Sequence, residues 1–353
     1  MAPVGVALVG GGIFAKEEHL PAILASPLLS LRAIYSRSLK SAKDTASAIT
    51  DSSKPDLYSS DCGEGKSYED LLKRDDISGV ILALPIMAQP EYIEAALAAG
   101  KHVLSEKPIA PHVNLARKLI QFYRTLSENK GSATWAVAEN YRFMPKIQYG
   151  AEQLKGLGKI QGFSCRIFNL IQPGNKWIET SWRKKPDYQG GFLLDGGVHF
   201  IAAIRRLLGP DNSAEEVVAL SSLTQPYLAP IDTVNAIVKT KSGVVGSFLQ
   251  SVGTHLEPCE EYSIACENGL VTVNRKGVSV MRVMEDGKRE TEMKEFEWNS
   301  GVKSEVQAWA ESLSSGNPNP LQSPEEAFAD LELLEKMFRS GEEHGSKQAL
   351  HFQ

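Results

Sequence analysis

The chain predicts an α/β fold in two parts. The first is an N-terminal Rossmann doubly wound parallel sheet, and the second a C-terminal open, largely antiparallel sheet covered on one face by helices. Three observations carry this. Val4 to Ala15, VGVALVGGGIFA, joins a short apolar run to a helical pattern through three glycines. Up to about residue 140, apolar runs alternate with segments of helix length, the pattern of βαβ units with right-handed crossovers. From Ile160 onward, strand-like runs follow one another with hairpin signals between them, at Lys241-Ser242-Gly243, Asn268-Gly269 and Asp286-Gly287.

The bulk properties set bounds. A chain of 353 residues is long enough for about two domains. Its 42% hydrophobic content with well-mixed charge supports a packed core. A net charge of -5 argues against a nucleic-acid partner, which calls for a basic face. No apolar run approaches the ~20 residues of a membrane span. The apolar N-terminus lacks the basic start of a signal peptide, since its first lysine is Lys16. Cys62, Cys165, Cys259 and Cys266 show no C-x-x-C spacing, so they read as reduced thiols of a cytoplasmic protein, with no metal.

Taken in order, the glycines match G-x-G-x-x-A at Gly10, Gly12 and Ala15. Gly10 permits a tight turn off the strand. Gly12, with no Cβ, lets a pyrophosphate approach the backbone, and Ala15 lets helix and strand pack closely. A dinucleotide would then sit at a helix N-terminus, whose N–H groups and dipole favour an anion. The plainer alternative is a glycine-rich turn without a ligand. Ile13 to Ala25 is expected to be helical, and Leu31 to Tyr35 a second strand.

The end of that second strand bears on the cofactor. An NAD site places a carboxylate there for the ribose 2′-hydroxyl, but no Asp or Glu lies between Leu31 and Lys43. The chain reads Ser36-Arg37-Ser38-Leu39-Lys40 instead. Arg37 can stack on adenine and pair with a 2′-phosphate, and the two serines can donate to it. NADP(H) is therefore favoured over NAD(H); the alternative is a solvated turn with helix-capping serines.

A loop over Asp51 to Lys66 holds a short strand near Leu57-Tyr58, and a helix follows around Tyr68 to Lys73. Val80 to Leu84 reads as a buried strand ending at Leu84-Pro85, with a helix from Ala88 to Ala99 after it. His102 to Pro108 reads as a strand ending in Glu106-Lys107-Pro108, at the sheet edge that faces ligands in such folds. Asn114 to Leu126 is helical, and Thr134 to Glu139 is the last strand. The expected cofactor contacts are Gly10, Gly12, Ile13, Phe14, Ser36, Arg37, Ser38, Lys40, Leu84, Pro85, Glu106, Lys107 and Asn140. This gives a dinucleotide-binding domain over 1–140 and a substrate-binding and oligomerisation domain over 141–353.

In the second half, Gly190 to His199, GGFLLDGGVH, holds the chemistry. A helix starting near Gly197 would set Asp195 and His199, four residues apart, on one side. Ile201, Ile204 and Leu208 form its apolar stripe, and Gly209-Pro210 stops it. Near a helix N-terminus the carboxylate is stabilised and the imidazole discouraged from protonating, which suits a base. The glycines would leave room for substrate. The competing reading makes Asp195 a helix N-terminal acid and His199 a satisfied core histidine; a metal pair lacks further ligands at suitable spacing. Tyr141, Arg142, Trp177, Trp182 and Arg183 are candidate substrate contacts beside Asp195 and His199, with Tyr188 nearby, because rings beside polar donors suit a sugar or cyclitol. Each could equally anchor a loop.

The glycine loop, Glu106-Lys107-Pro108, Ala138 to Phe143 and Gly190 to His199 occur in register along essentially the whole chain. In this the sequence resembles the glucose–fructose oxidoreductase, inositol dehydrogenase and MocA-like family, and is most similar to its fungal NADP(H)-dependent members of unassigned substrate. The resemblance implies an oxidoreductase with Lys107, Asp195 and His199 as catalytic residues, and a homodimer or homotetramer formed through the open face of the second sheet. One departure stands out. Many relatives carry a histidine a few residues after the proline of Leu84-Pro85, where this chain has Gln89. Two alternatives accompany the resemblance: a non-catalytic dinucleotide-binding regulator like the galactose-regulon inhibitors, which would not need the trio, and an NAD-dependent glycosidase, against which Arg37 speaks. Carbonyl or imine reduction and sugar oxidation are not separated by these motifs.

Overall fold

The computed structural model describes residues 2–49, 54–130, 133–255 and 257–353. The chain divides into two compact units, one of residues 1–140 with 301–328, the other of 141–300 with 329–353.

The first unit is built on six parallel strands: β1 (Val4–Val9), β2 (Leu29–Ser36), β3 (Asp56–Ser59), β4 (Gly79–Leu82), β5 (His102–Glu106) and β6 (Trp135–Ala138). Their order, β3-β2-β1-β4-β5-β6, steps outward in both directions from β1, the doubly wound arrangement that opens a crevice beside β1. The strands are near-continuous apolar runs because helices cover both faces. Those helices are α1 (Leu20–Ala25), α2 (Leu39–Ala46), α3 (Tyr68–Leu72), α4 (Gln89–Ala98) and α5 (Val113–Lys130). The expected helix from Ile13 onward is present, but Ala15–His19 forms a π turn before α1. Strand β4 ends at Leu82, two residues before the expected Leu84, and the chain turns through Pro85, whose carbonyl accepts from the Ala88 and Gln89 N–H groups. The part of the expected loop at 51–53 lies outside the described residues.

At the opposite end of β5, the Thr134 N–H donates to His102 Nδ1 at 3.0 Å. An accepting ring nitrogen carries no proton, and burial holds His102 below its ordinary value. The folded state thus favours the neutral ring. This contribution is complete above the unfolded value of about pH 6.5 and is lost as the pH falls from there toward the lowered folded value. Thermal melts across this range should show the loss, and His102→Asn, whose side-chain oxygen can accept the same N–H, should flatten that part of the curve.

In the second unit, α6 (Pro145–Leu154), α7 (Ser181–Lys184) and α8 (Phe192–Leu208) accompany nine strands. The strands are β7 (Ile160–Phe168), β8 (Ala214–Ser222), β9 (Thr233–Thr240), β10 (Val245–Ser251), β11 (Cys259–Cys266), β12 (Gly269–Asn274), β13 (Gly277–Val283), β14 (Arg289–Glu295) and β15 (Gln348–Ala349). The sheet order is β14-β13-β12-β11-β7-β10-β9-β8-β15. Two meanders, β8 to β10 and β11 to β14, flank β7. The β9–β10, β11–β12 and β13–β14 turns fall at the three expected hairpin sites, while the β8–β9 connection and the β12–β13 turn carry none of the expected signals. The sheet is not a single antiparallel meander, however, because β7 and β10 run parallel. That pair joins residues about eighty positions apart, across the excursion that holds α7 and α8, and local turn chemistry cannot report it. One face of the sheet packs under α6 and α8.

Two last helices complete the chain, α9 (Val302–Ser315) and α10 (Pro324–Glu342). Sequence reasoning placed both in the second domain. Helix α9 belongs instead to the first unit, where it packs on α1, β1 and β6. Val302, Val306 and Trp309 are buried there among Val6, Leu8 and Ile81. Nothing local in α9 says which sheet it covers. Helix α10 begins in the first unit and ends in the second.

Candidate active site

In the first unit, the glycine loop follows β1 as its residue types require. Gly10 has φ +124°, and a Cβ there would lie 2.3 Å from the Ala83 carbonyl oxygen, so only glycine fits. Gly12 is the contrast: a Cβ on it would meet nothing within 4 Å. The loop is therefore packed on one side and open at Gly12, the position where a pyrophosphate needs to approach. Ile13 and Phe14 begin the helical segment that follows. The residues present fit a dinucleotide.

At the end of β2, Ser36 is buried, whereas Arg37 and Lys40 are exposed. The Ser38 hydroxyl accepts the Ser41 N–H and caps α2, so the capping alternative holds for Ser38. The Ser41 hydroxyl donates to the Gly11 carbonyl at 3.3 Å and ties α2 to the glycine loop. Leu84 and Pro85 are half-buried just after β4. Gln89, at the start of α4, is fully buried, and neither of its amide atoms has a hydrogen-bond partner among the described residues.

Glu106 ends β5 with both carboxylate oxygens engaged. Oε1 bonds the buried His19 Nε2 at 2.7 Å, and Oε2 accepts the Lys107 N–H at 3.2 Å. His19 closes the π turn behind the glycine loop, and π turns of this kind recur at functional sites. Glu106 therefore fastens the loop's helix to the Lys107 strand end. His19 escaped sequence reasoning, since no local pattern links it to a carboxylate 87 residues away. Lys107 is half-buried, and the Lys107–Pro108 bond is cis. Asn140 is buried just beyond β6.

In the second unit, α8 starts at Phe192, five residues before the expected Gly197, with Gly191 at φ +53° as its N-cap. This corrects the electrostatic argument. Asp195 lies in the first turn, where the helix N-terminus stabilises a carboxylate. His199 lies a turn further on, where that effect has faded. The two residues do sit four apart on one continuous helix, hence on one side of it. The glycines also prove less open than expected. A Cβ on Gly190 would clash with Phe338, one on Gly191 with the Ala229 carbonyl, and one on Gly197 with Leu334 and Gln250. Only Gly196 faces open space.

Around Asp195 the expected residues converge. Arg183 Nε donates to Asp195 Oδ2 at 2.7 Å, with both side chains largely buried. The Arg183 guanidinium lies over the Trp182 ring at 4.0 Å from its centroid and over the Trp177 ring at 5.7 Å. Trp182 in turn packs against Tyr188. Burial pushes the Tyr188 hydroxyl up, and the Asp195 carboxylate adds to the shift. His199 stacks on Tyr141 with centroids 4.6 Å apart and planes 17° from parallel. One residue departs from expectation. Arg142, expected among substrate contacts, is 2% exposed, and its Nη2 donates to Asp330 Oδ2 at 2.5 Å. Arg205 Nη1 holds the other oxygen at 2.7 Å, so Arg142 is a buried strut, engaged because α10 brings a carboxylate to it.

A Rossmann sheet with an open glycine loop, followed by a second sheet carrying a carboxylate and an imidazole on one helix, defines a class: an oxidoreductase that uses a nicotinamide dinucleotide. The models of an oxidoreductase family confirm it, the NAD-binding Rossmann fold matching residues 4–129 and the C-terminal alpha/beta domain residues 151–348. The chain belongs to this family, that of glucose–fructose oxidoreductase, inositol dehydrogenase and MocA. It is 40% identical to the dehydrogenase FPY6 of Fusarium mangiferae over 99% of this chain and 100% of that one. A solved oxidoreductase of Thermotoga maritima superposes with a TM-score of 0.83 at 30% identity, covering 98% of each chain. The dTDP-3,4-didehydro-2,6-dideoxy-alpha-D-glucose 3-reductase of Streptomyces antibioticus is 30% identical over 60% of this chain and 58% of its own. Among the described residues, no helix is long and apolar enough to cross a membrane.

Proposed function

We propose that this protein is an NADP(H)-dependent dehydrogenase or reductase acting on a carbinol or carbonyl carbon of a small polyhydroxylated substrate: a sugar, a cyclitol or a related metabolite. The observation that carries the reading is the pair on α8. There a carboxylate clamped by Arg183 and an imidazole seated on Tyr141 share one helix side, in a chain of this family. The sugar-nucleotide reductase among the relatives supports the substrate class, as do rings beside polar donors at Trp177, Trp182 and Tyr141.

Gly10, Gly12, Ile13, Phe14, Leu84, Pro85 and Asn140 would hold the dinucleotide, with Ser36, Arg37, Ser38 and Lys40 around its ribose 2′ substituent. When bound, the nicotinamide accepts or gives the hydride. His199 takes the substrate hydroxyl proton on a ring nitrogen and returns it in the reducing direction. Lys107 steadies the substrate oxygen as negative charge grows there, and Glu106, fastened to His19, fixes the strand end from which Lys107 acts. Asp195, oriented by Arg183, bonds a neighbouring hydroxyl or the imidazole. The four free thiols suit a reducing, cytoplasmic setting. On the uncovered face of the second sheet, Val218 pairs with Ile237 across β8 and β9, and both are exposed, as are Leu220 and Val245. A second copy of this chain would cover such an apolar face, giving a homodimer or homotetramer.

The test of the nucleotide assignment is Arg37→Ala. Titration with each reduced nucleotide should show NADPH weakened by about 10- to 100-fold, the worth of charged hydrogen bonds to a phosphate, with NADH little changed. Equal losses for both would defeat the assignment.

A further inference from the structure

The tertiary structure brings to the end of β2 a carboxylate that the local sequence lacks. Asp61 Oδ1 accepts the Leu39 N–H at 2.7 Å and the Ser59 hydroxyl at 2.7 Å. Leu39 is the first residue of α2, directly after Arg37 and Ser38. The placement follows from the sheet. Strands β2 and β3 are parallel neighbours with Ser36 opposite Ser59, so the turn leaving β3 meets the turn leaving β2. The Tyr35 hydroxyl bonds the Ser60 hydroxyl at 2.7 Å and pins the residue next to Asp61. The Ser59 hydroxyl and, after it, the Leu39 amide hold the Asp61 carboxyl below the usual range, so it stays an anion at neutral pH.

Resting on the reading that Ser36 to Lys40 receives the ribose 2′ substituent, we propose that Asp61 is a specificity-determining residue for the nucleotide. It occupies the first N–H of α2, a donor that a 2′-phosphate would otherwise use, and its negative charge opposes the phosphate's. Arg37 and Lys40 pull toward the phosphorylated nucleotide, while Asp61 limits that pull and keeps the unphosphorylated one usable. Because Asp61 is exposed, solvent screens the repulsion and the limit is moderate, about tenfold in affinity.

Fluorescence titration of the full chain with NADPH and NADH tests this on the wild type, Asp61→Asn and Arg37→Ala. Asparagine retains an acceptor for the Leu39 N–H, so the cap survives while the charge goes. Asp61→Asn should tighten NADPH by about tenfold and change NADH by less than about threefold. Asp61→Ser, which also keeps an acceptor, replaces it if the asparagine variant does not fold. An unchanged ratio, or one moved toward NADH, overturns the proposal and leaves Asp61 as a helix cap. If Arg37→Ala shifts the ratio and Asp61→Asn does not, only the role of Asp61 fails. If neither does, the assignment of the 2′ site itself fails.

Discussion

His199→Ala is expected to lower turnover by about 10²- to 10⁴-fold, the usual worth of a positioned proton acceptor, while NADPH binds as in the wild type. On the proposed mechanism Lys107→Ala should act in the same direction, through loss of the charge assigned to the substrate oxygen. Under that mechanism both groups act on the same step, so the double variant should lose little more than the worse single one. His199 also packs on Tyr141, so His199→Gln, which fills more of the space, serves as the structural control. Steady-state rates with a panel of sugars and carbonyl compounds, read beside nucleotide titrations, decide the matter. Turnover that survives in the double variant would remove these residues from the chemistry.

The second large effect is on stability. Asp330 is buried, and its two oxygens are shared between Arg142 and Arg205. Asp330→Ala would leave two guanidinium groups facing each other without their common partner. Breaking a buried ion pair from one side costs about 3–5 kcal/mol. Thermal and denaturant unfolding should show that loss, with Asp330→Asn retaining part of it through one remaining acceptor. Glu325→Ala, which removes an exposed pair with Arg124, should change stability by less than about 1 kcal/mol. Equal effects at the two positions would mean that the buried triad contributes nothing beyond a surface pair.

The contrast between these residues shows where sequence reasoning reached and where it stopped. The glycine loop was legible because turn, close approach and helix packing are all settled within six residues. The hairpins at Asn268-Gly269 and Asp286-Gly287 were legible for the same reason, as was the apolar stripe Ile201, Ile204 and Leu208. That Asp195 and His199 share one helix side was legible because their spacing is a helix period. The start of α8 was misplaced because Gly196 and Gly197 read as a break. In fact Gly197 stays helical where it packs against Leu334 and Gln250. Arg142 was given to the substrate because its partner, Asp330, lies 188 residues away.

What the sequence determined by itself is the set of local conformations: strand, loop and helix at the N-terminus, a meandering second sheet, and the residue types able to move a proton. Which of these meet was decided only by the tertiary structure. It set β7 beside β10, gave α9 to the first unit, fastened Glu106 to His19 and carried Asp61 to the start of α2. The reason is one of range: backbone propensity and turn chemistry act over a few residues, whereas a partner across the sheet is chosen by which apolar faces are buried together. A window along the chain that excludes residue 61 contains no sign of the carboxylate that the fold sets beside residue 39.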